Sequence, residues 1–163
     1  MYWEKIIGAF NFDNIYSDMI LKYNNATFVE LGTFNGRSAV FMAEKIKESG
    51  KNIKFYTIDI SWPDDIEKNL EPVKGYVTPI HGSSHILYKK FPDESIDFLF
   101  IDADHSYEAV KKDLELWYPK VKHGGVISGH DYTEPCGVKM AVDAFFTFTN
   151  VGVSRTSWIY NKI

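Results

Sequence analysis

The sequence predicts one α/β domain built on a mostly parallel β-sheet, and three observations lead to this prediction. Apolar runs alternate with amphipathic segments along nearly the whole chain. Its 163 residues suit one domain better than two. Its composition, 45% hydrophobic and 16% aromatic, can supply a sizeable core. Strands that alternate with helices indicate βαβ units, whose parallel sheet is covered on both faces.

The chain is predicted to begin with a helical lead segment, residues 1–25, followed by the sheet domain, residues 26–163. A helix is expected over 13–24, with Ile15, Met19 and Ile20 facing the core. The aromatic residues of this segment either pack around the lead helix or form a flap over a site. Packing is the simpler interpretation.

The first half of the sheet domain is predicted to hold three strands. ATFVEL, residues 26–31, forms the first strand, and helix 36–49 follows it and ends at Gly50. IKFYTIDI, residues 53–60, forms the second strand. The remaining elements of this half are a helix over 64–71, a third strand over 76–80 and a helix over 83–90.

The second half begins with the buried strand IDFLFI, residues 96–101. The helix over 106–118 is the clearest in the chain, because Tyr107, Val110, Leu114 and Trp117 recur at helical spacing.

A fifth strand, VIS, follows a Gly-Gly turn within 121–128, and a helix is expected over 137–148. The tail VGVSRTSWIY is predicted to form two short strands. They are too close for a crossover helix, so they should pair antiparallel.

Bulk properties exclude several function classes. The formal net charge of −4 comes without a Lys/Arg-rich block, so no nucleic-acid partner is expected. The single cysteine, Cys136, excludes an internal disulfide and favours a cytoplasmic setting. No apolar stretch approaches the ~20 residues that span a bilayer, and the first residues lack the features of a secretory signal.

Four acids follow, or nearly end, four of the predicted strands: Glu30, Asp59, Asp102 and Asp131. In a parallel sheet all four lie at the carboxyl edge, where open α/β sheets bind ligands. The sequence therefore predicts a site at this edge.

The loop ELGTFNGRS after the first strand carries Gly32 and Gly36 in the spacing E-x-G-x-x-x-G. Glycine there lets the backbone approach a ligand closely, although an ordinary strand–helix turn is the alternative. The dinucleotide pattern G-x-G-x-x-G is absent, which disfavours NAD. Asp59 can accept hydrogen bonds from ribose hydroxyls, or be a solvated strand-end carboxylate.

Five segments in order, VELGTFNGRS, YTIDISW, HGSS, FIDADHSYE and GGVISGHDY, resemble class I S-adenosylmethionine-dependent methyltransferases. The closest similarity is to the small group of macrocin- and mycinamicin-type sugar O-methyltransferases. The resemblance implies a Rossmann-like doubly wound sheet of seven strands. Their expected order is 3-2-1-4-5-7-6, with strand 7 antiparallel.

The resemblance also implies S-adenosylmethionine as cofactor. Glu30 and the loop glycines would line its methionine end, Asp59 would hold the ribose, and Ile60 and the serines of HGSS would contact the adenine. The full set of predicted cofactor-binding residues is Glu30, Gly32, Thr33, Phe34, Gly36, Asp59, Ile60, Gly82, Ser83, Ser84 and Asp102.

By the same resemblance, Mg²⁺ or Mn²⁺ would be held by Asp102, His130 and Asp131. The position of His130 is often acidic in the sugar methyltransferases, so a softer metal, a water in that place or no metal are the alternatives. His105 matches a proposed general base, and Asp104 competes with it.

Structural interpretations exist for these residues as well. Asp104 or Ser106 can cap helix 106–118, and His105 can be a solvated loop residue. Asp102 can contact the methionine amino group of the cofactor without a metal.

The predicted function is O-methylation of a small hydroxylated molecule, with a sugar as one candidate. The alternative is a protein that binds S-adenosylmethionine or S-adenosylhomocysteine without transferase activity. A homodimer is compatible with the exposed C-terminal strand pair.

Overall fold

A computed structural model of the chain, which describes residues 1–147 and 150–163, contains a seven-stranded sheet in the order β3-β2-β1-β4-β5-β7-β6. Strand β7 pairs antiparallel with both β5 and β6, and the other neighbouring strands pair in parallel. The predicted fold class and strand order are confirmed. The strands are β1 (Asn25–Leu31), β2 (Asn52–Asp59), β3 (Thr78–His81), β4 (Ile96–Ile101), β5 (Val121–Gly129), β6 (Val151–Ser154) and β7 (Ser157–Asn161).

The α-helices differ from the predicted bounds by one to three residues, at one end or at both. They are α1 (Asp13–Lys22), α2 (Arg37–Ser49), α3 (Ile66–Leu70), α4 (Ser84–Leu87), α5 (Tyr107–Trp117) and α6 (Gly137–Phe145). The predictions over 64–71 and 83–90 were too long for α-helix, because short 3-10 turns over Glu71–Val73 and Tyr88–Lys90 complete these segments. The prediction over 137–148 was also too long. Helix α6 ends at Phe145, and residue 148 lies outside the described residues.

Two strands begin two or more residues away from their predicted starts. Strand β3 starts at Thr78 and not at Tyr76, because the Tyr76 backbone N–H donates to the carbonyl of Val73 in a turn. Strand β5 extends back to Val121, with a shift in its register against β4 at the glycine pair.

The sheet has a hydrophobic cluster on each face. Phe98 and Phe100 of β4 face the cluster formed with α1, α2 and α3, whereas Leu99 and Ile101 face the cluster formed with α5 and α6. This alternation along one strand is the period of two that a sheet buried on both faces requires.

The lead segment packs into the first of these clusters. Phe12 is 2% exposed, and its ring centroid lies 4.4 Å from that of Phe100. Trp3 and Phe10 pack edge to face at 5.3 Å. The structure therefore supports the interpretation that these aromatic residues pack around the lead helix, rather than form a flap over the site. Among the described residues, no helix combines the length and the apolar character needed to cross a bilayer.

Candidate functional site

A cavity of about 720 Å³ lies at the carboxyl edge of the sheet, a size typical of small-molecule sites. It is formed by the loops after β1, β2, β3, β4 and β5, together with parts of the lead segment and α5. The predicted site residues that line it are Gly32, Phe34, Asp59, Ile60, Gly82, Ser83, Ser84, Asp102, Asp104, His105, His130 and Asp131.

The loop after β1 brings the backbones of β1 and β4 into close contact. Gly32 has φ +97°, and a Cβ atom built on it would lie 1.9 Å from the carbonyl oxygen of Asp102. No side chain fits in that space, so glycine is required at this position. Phe34 adopts φ 47°, which is rare for a bulky residue, and its side chain is exposed at the cavity.

The Asp59 carboxylate holds this loop in place. Its Oδ2 accepts hydrogen bonds from the backbone N–H groups of Thr33 (2.7 Å) and Phe34 (2.8 Å), and its Oδ1 accepts from that of Ser61 (2.8 Å). A carboxylate has about four acceptor positions, so roughly one remains for a ribose hydroxyl. The structure thus gives Asp59 a loop-positioning role that the sequence did not indicate.

Glu30, which was predicted at the methionine end of the cofactor, is buried and does not line the cavity. In the described part of the chain, Glu30, Thr33 and Gly36 do not line the cavity. Glu30 is 1% exposed and accepts hydrogen bonds from Tyr16 (2.7 Å), Ser38 (2.5 Å) and Thr57 (2.6 Å). Burial raises the pKa of its carboxyl group to about 7, and the three hydrogen bonds only partly oppose that rise.

Thr33 and Gly36 support the loop from inside. The Thr33 hydroxyl lies 2.6 Å from that of Thr57, which continues the network of Glu30. Gly36, at φ +85°, is the residue before α2, and a Cβ atom there would lie 3.0 Å from the side chain of Ile66. The positions of Thr33 and Gly36 therefore do not favour direct contact with the cofactor.

The loop after β3 contacts Asp113, an acid that was not predicted as a site residue. The hydroxyl of Ser84 donates to Oδ1 of Asp113 at 2.7 Å, and Nε2 of His85 lies 3.4 Å from the same oxygen. Asp113 is on α5 and is 1% exposed. Its signal in the sequence is its position on the apolar stripe of α5, three residues after Val110.

His105 lies between two aspartates. Its Nε2 is 3.3 Å from Oδ1 of Asp102, and its Nδ1 is 3.3 Å from Oδ2 of Asp131. The hydrogen bond to Asp102 raises the pKa of His105, and the charge of Asp131 adds to the rise, against the effect of burial. One ligand atom from each of these three residues lies within 4.8 Å of the others, which is the arrangement of a candidate metal site.

Asp104 has a local structural role. Its Oδ1 accepts from the backbone N–H of Ser106 at 2.8 Å, and this bond lowers the pKa of the exposed Asp104 carboxyl group. Ser106 caps α5 by accepting from the backbone N–H of Ala109. A carboxylate with a lowered pKa is a poorer proton acceptor, so the environment of Asp104 suits a structural role better than that of a base.

His130 follows β5 and is held by two residues from distant parts of the chain. Its Nε2 lies 2.8 Å from Oδ1 of Asn11 and 2.9 Å from the hydroxyl of Thr156. Its Nδ1 lies 3.4 Å from Oδ1 of Asp131 and 3.8 Å from Oδ1 of Asp102. If Nε2 carries the proton that Asn11 accepts, the lone pair of Nδ1 faces the two carboxylates. A ring held in this way is what a metal-binding histidine requires.

Asp131 and Ile60 complete the predicted set. Asp131 has φ 55°, a left-handed conformation that Asp tolerates better than most residues. Ile60 is 71% exposed at the cavity, where it offers an apolar surface. The neighbouring Trp62 instead stacks on His81 at 5.1 Å and lines a second cavity.

Comparison with known proteins identifies the family to which this part of the chain is similar. A family model described as "Methyltransferase domain" matches residues 29–132. An uncharacterized protein of Acanthamoeba polyphaga mimivirus is 36% identical over 124 residues, which cover 68% of this chain and 53% of that protein. The chain thus spans about half the length of this curated relative.

Solved structures share the fold at low sequence identity. A protein from Staphylococcus aureus, assigned as a caffeoyl-CoA O-methyltransferase, has a TM-score of 0.72 at 17% identity, over 98% of this chain and 87% of that one. An S-adenosylmethionine-dependent O-methyltransferase from Thermotoga maritima has a TM-score of 0.71 at 13% identity, over 98% and 67%. The MycE methyltransferase of the mycinamycin biosynthetic pathway, in complex with Mg and SAH, has a TM-score of 0.68 at 14% identity, over 99% and 52%.

The family model covers more than half of the chain, and the solved structures named above share the fold of the chain. The chain therefore belongs to the methyltransferase-domain family and has the fold of S-adenosylmethionine-dependent O-methyltransferases.

Proposed function

We propose that this chain transfers a methyl group from S-adenosylmethionine to a hydroxyl oxygen of a small acceptor, assisted by a divalent metal ion. The single observation that carries the proposal is one cavity that joins two sets of groups. The glycine loop, Asp59 and the HGSS loop lie on its walls, and so does the cluster of Asp102, His105 and Asp131.

The residues of the first set fit S-adenosylmethionine by their chemistry. Asp59 keeps an acceptor position for a ribose hydroxyl, and Ile60 offers an apolar surface to a nucleobase. The close approach of Gly32 to the end of β4 brings the loop backbone beside Asp102. When bound, S-adenosylmethionine supplies a methyl group that its sulfonium already activates, so the chain has to align the acceptor and remove a proton.

The second set fits a divalent cation. Asp102, Asp131 and one imidazole offer two carboxylate oxygens and one nitrogen, a donor set that suits Mn²⁺ or Fe²⁺ better than Mg²⁺. Either His105 or Nδ1 of His130 can supply the nitrogen. When bound, such an ion lowers the pKa of an acceptor hydroxyl.

His105 is also placed to take the proton of the acceptor. Its imidazole is half exposed at the cavity and lies 3.3 Å from each of the two carboxylates. The imidazolium that forms after proton transfer can donate hydrogen bonds to carboxylate oxygens of Asp102 and Asp131. If His105 serves as the base, His130 remains as the nitrogen ligand.

The charge at this end of the cavity favours a neutral or cationic acceptor. Asp102, Asp104 and Asp131 contribute three acidic groups to its wall. Even with a divalent ion bound, these three carboxylates leave a net negative charge at this wall, which disfavours a polyanionic acceptor. A small polyol such as a sugar fits this environment, because its hydroxyls can donate to carboxylates.

A metal titration tests the proposal. We expect the wild-type chain to bind Mn²⁺ in the micromolar range, as followed by electron paramagnetic resonance, and Asp131→Asn to weaken this binding at least tenfold. Glu134→Gln, a nearby exposed acid, is the matched control and should leave it unchanged. Transfer of labelled methyl groups to a panel of sugars should stop when a chelator is added.

Two outcomes would contradict parts of the proposal. Methyl transfer that persists in chelator would remove the metal from the mechanism. Tight binding of S-adenosylhomocysteine without transfer to any hydroxylated acceptor would favour a binding protein without transferase activity.

A further inference from the structure

We propose that Asp113 makes Ser84 a hydrogen-bond acceptor toward the nucleobase, so that the site selects a 6-aminopurine over a 6-oxopurine. Asp113 is thus a positioning residue that determines specificity through Ser84. This inference rests on the proposed function, because it concerns how the same cavity recognises the adenine of the cofactor.

The Ser84–Asp113 pair joins two elements on one wall of the cavity. Ser84 begins α4 in the loop after β3, and Asp113 is in the middle of α5. The Ser84 hydroxyl donates to Oδ1 of Asp113 at 2.7 Å, and both residues line the cavity. Asp113 is almost fully buried, so its carboxylate depends on protein groups for its hydrogen bonds.

Packing alone does not explain why the carboxyl group of Asp113 is buried. Its neighbours on the inward stripe of α5, Val110, Leu114 and Trp117, are all buried apolar residues. Burial raises the pKa of Asp113, and the hydrogen bond from Ser84 and the nearby His85 oppose that rise. A leucine or alanine would suit this stripe better if Asp113 served only the core.

The direction of the hydrogen bond fixes the polarity of Ser84. An ionised carboxylate can only accept, so the single proton of the Ser84 hydroxyl points toward Asp113. What Oγ of Ser84 can still offer to the cavity is lone pairs. The wall at this point therefore prefers a ligand that brings an N–H group.

The nucleobase of the cofactor would lie on this side of the cavity. Asp59 ends β2 and Gly82 follows β3, and the backbone N–H of Gly82 donates to the carbonyl of Asp59 at 2.8 Å. A nucleoside whose ribose contacts Asp59 can thus extend its base toward Ile60, Ser83 and Ser84. The exocyclic amine of adenine is a donor and matches Ser84, whereas the C6 carbonyl of hypoxanthine would face an acceptor.

A pair of ligands that differ at C6 tests this inference. The Kd values of S-adenosylhomocysteine and S-inosylhomocysteine are measured by calorimetry at pH 8. For the wild type we expect at least tenfold tighter binding of S-adenosylhomocysteine, a difference of about 1.4 kcal/mol. In Asp113→Asn the new amide can donate to Ser84 and free its hydroxyl to donate to a C6 carbonyl. The preference should then fall at least fivefold.

Two further variants secure the result. Ser84→Ala removes the selecting oxygen and should reduce the preference to a similar extent, which keeps the inference testable if Asp113→Asn does not fold. Glu115→Gln, an exposed acid on the same helix, is the matched control and should keep the wild-type preference.

The outcomes separate this inference from the proposed function. A wild-type chain that binds neither ligand refutes the proposed function, and the inference with it. A wild-type chain that binds both ligands equally refutes the inference alone. A folded Asp113→Asn or Ser84→Ala variant that keeps the full preference also refutes it.

Discussion

Replacing Glu30 by glutamine should change how the stability of the chain depends on pH. Glu30 is buried beside Tyr16, Ser38 and Thr57, and its pKa rises from 4.5 to about 7 on folding. Between pH 4.5 and about pH 7, Glu30 therefore carries a proton in the folded chain but not in the unfolded chain. Stability from this group is fully present below pH 4.5 and is lost as the pH rises through 7.

The size of the effect follows from the two pKa values. The difference between 4.5 and about 7 corresponds to about 3 kcal/mol, because one pKa unit is about 1.4 kcal/mol. Glutamine has nearly the same shape and does not ionise. We therefore expect the free energy of unfolding of Glu30→Gln, relative to the wild type, to rise by about 3 kcal/mol between pH 4.5 and pH 8.

Urea denaturation at several pH values between 4.5 and 8 measures this difference. Glu48→Gln on the exposed side of α2 is the matched control and should follow the wild-type curve. Curves for Glu30→Gln and the wild type that stay parallel over this range would refute the reasoning, because Glu30 would then ionise in the folded chain as it does in water.

Three further predictions concern the loop, the lead segment and a helix end. Gly32→Ala should lower the free energy of unfolding by at least ~3 kcal/mol more than Gly50→Ala, because both have positive φ but only the Gly32 Cβ would meet the Asp102 carbonyl. Equal losses in thermal denaturation would contradict this. Phe12→Ala should lower the free energy of unfolding by about 3–5 kcal/mol, as measured by urea denaturation. A negligible loss would favour the flap interpretation of the lead segment. Ser106→Ala should lower the free energy of unfolding by about 1 kcal/mol, because α5 loses its cap. An unchanged free energy of unfolding would mean that the 3.4 Å hydrogen bond from Ala109 to Ser106 does not stabilise the helix.

The fold could be predicted well where elements are long. The buried run 96–101 and the periodic helix over 106–118 are each within about a residue of β4 and α5. The short elements between β2 and β4 were predicted less accurately. With four or five residues, they offer too little periodicity to separate an α-helix from a 3-10 turn.

The candidate site could be predicted in part. Asp59, Asp102 and Asp131 lie at the cavity because a parallel sheet brings the ends of its strands together. Glu30 was predicted at the cofactor because it lies close to the end of β1. Both faces of this strand are buried, with Phe28 on the face of Glu30 and Val29 and Leu31 on the other, so a side chain one residue before the strand end lies in the core.

The remaining site residues depend on contacts between distant parts of the chain. Two residues hold His130: Asn11, which lies 119 residues before it in the sequence, and Thr156, which lies 26 residues after it in the turn between β6 and β7. Their spacing in the sequence carries no signal of this contact. Asp113 did carry one, as a charged residue within the apolar stripe of α5, but only the structure shows that Ser84 is its partner.

Calorimetric titration of the wild-type chain with S-adenosylhomocysteine tests the central proposal most directly, with NAD as the comparison ligand. We expect binding of S-adenosylhomocysteine with a Kd in the micromolar range, or roughly −8 kcal/mol, and no binding of NAD. Binding of NAD alone, or of neither ligand, would contradict the assignment of the cavity and of Asp59 to S-adenosylmethionine.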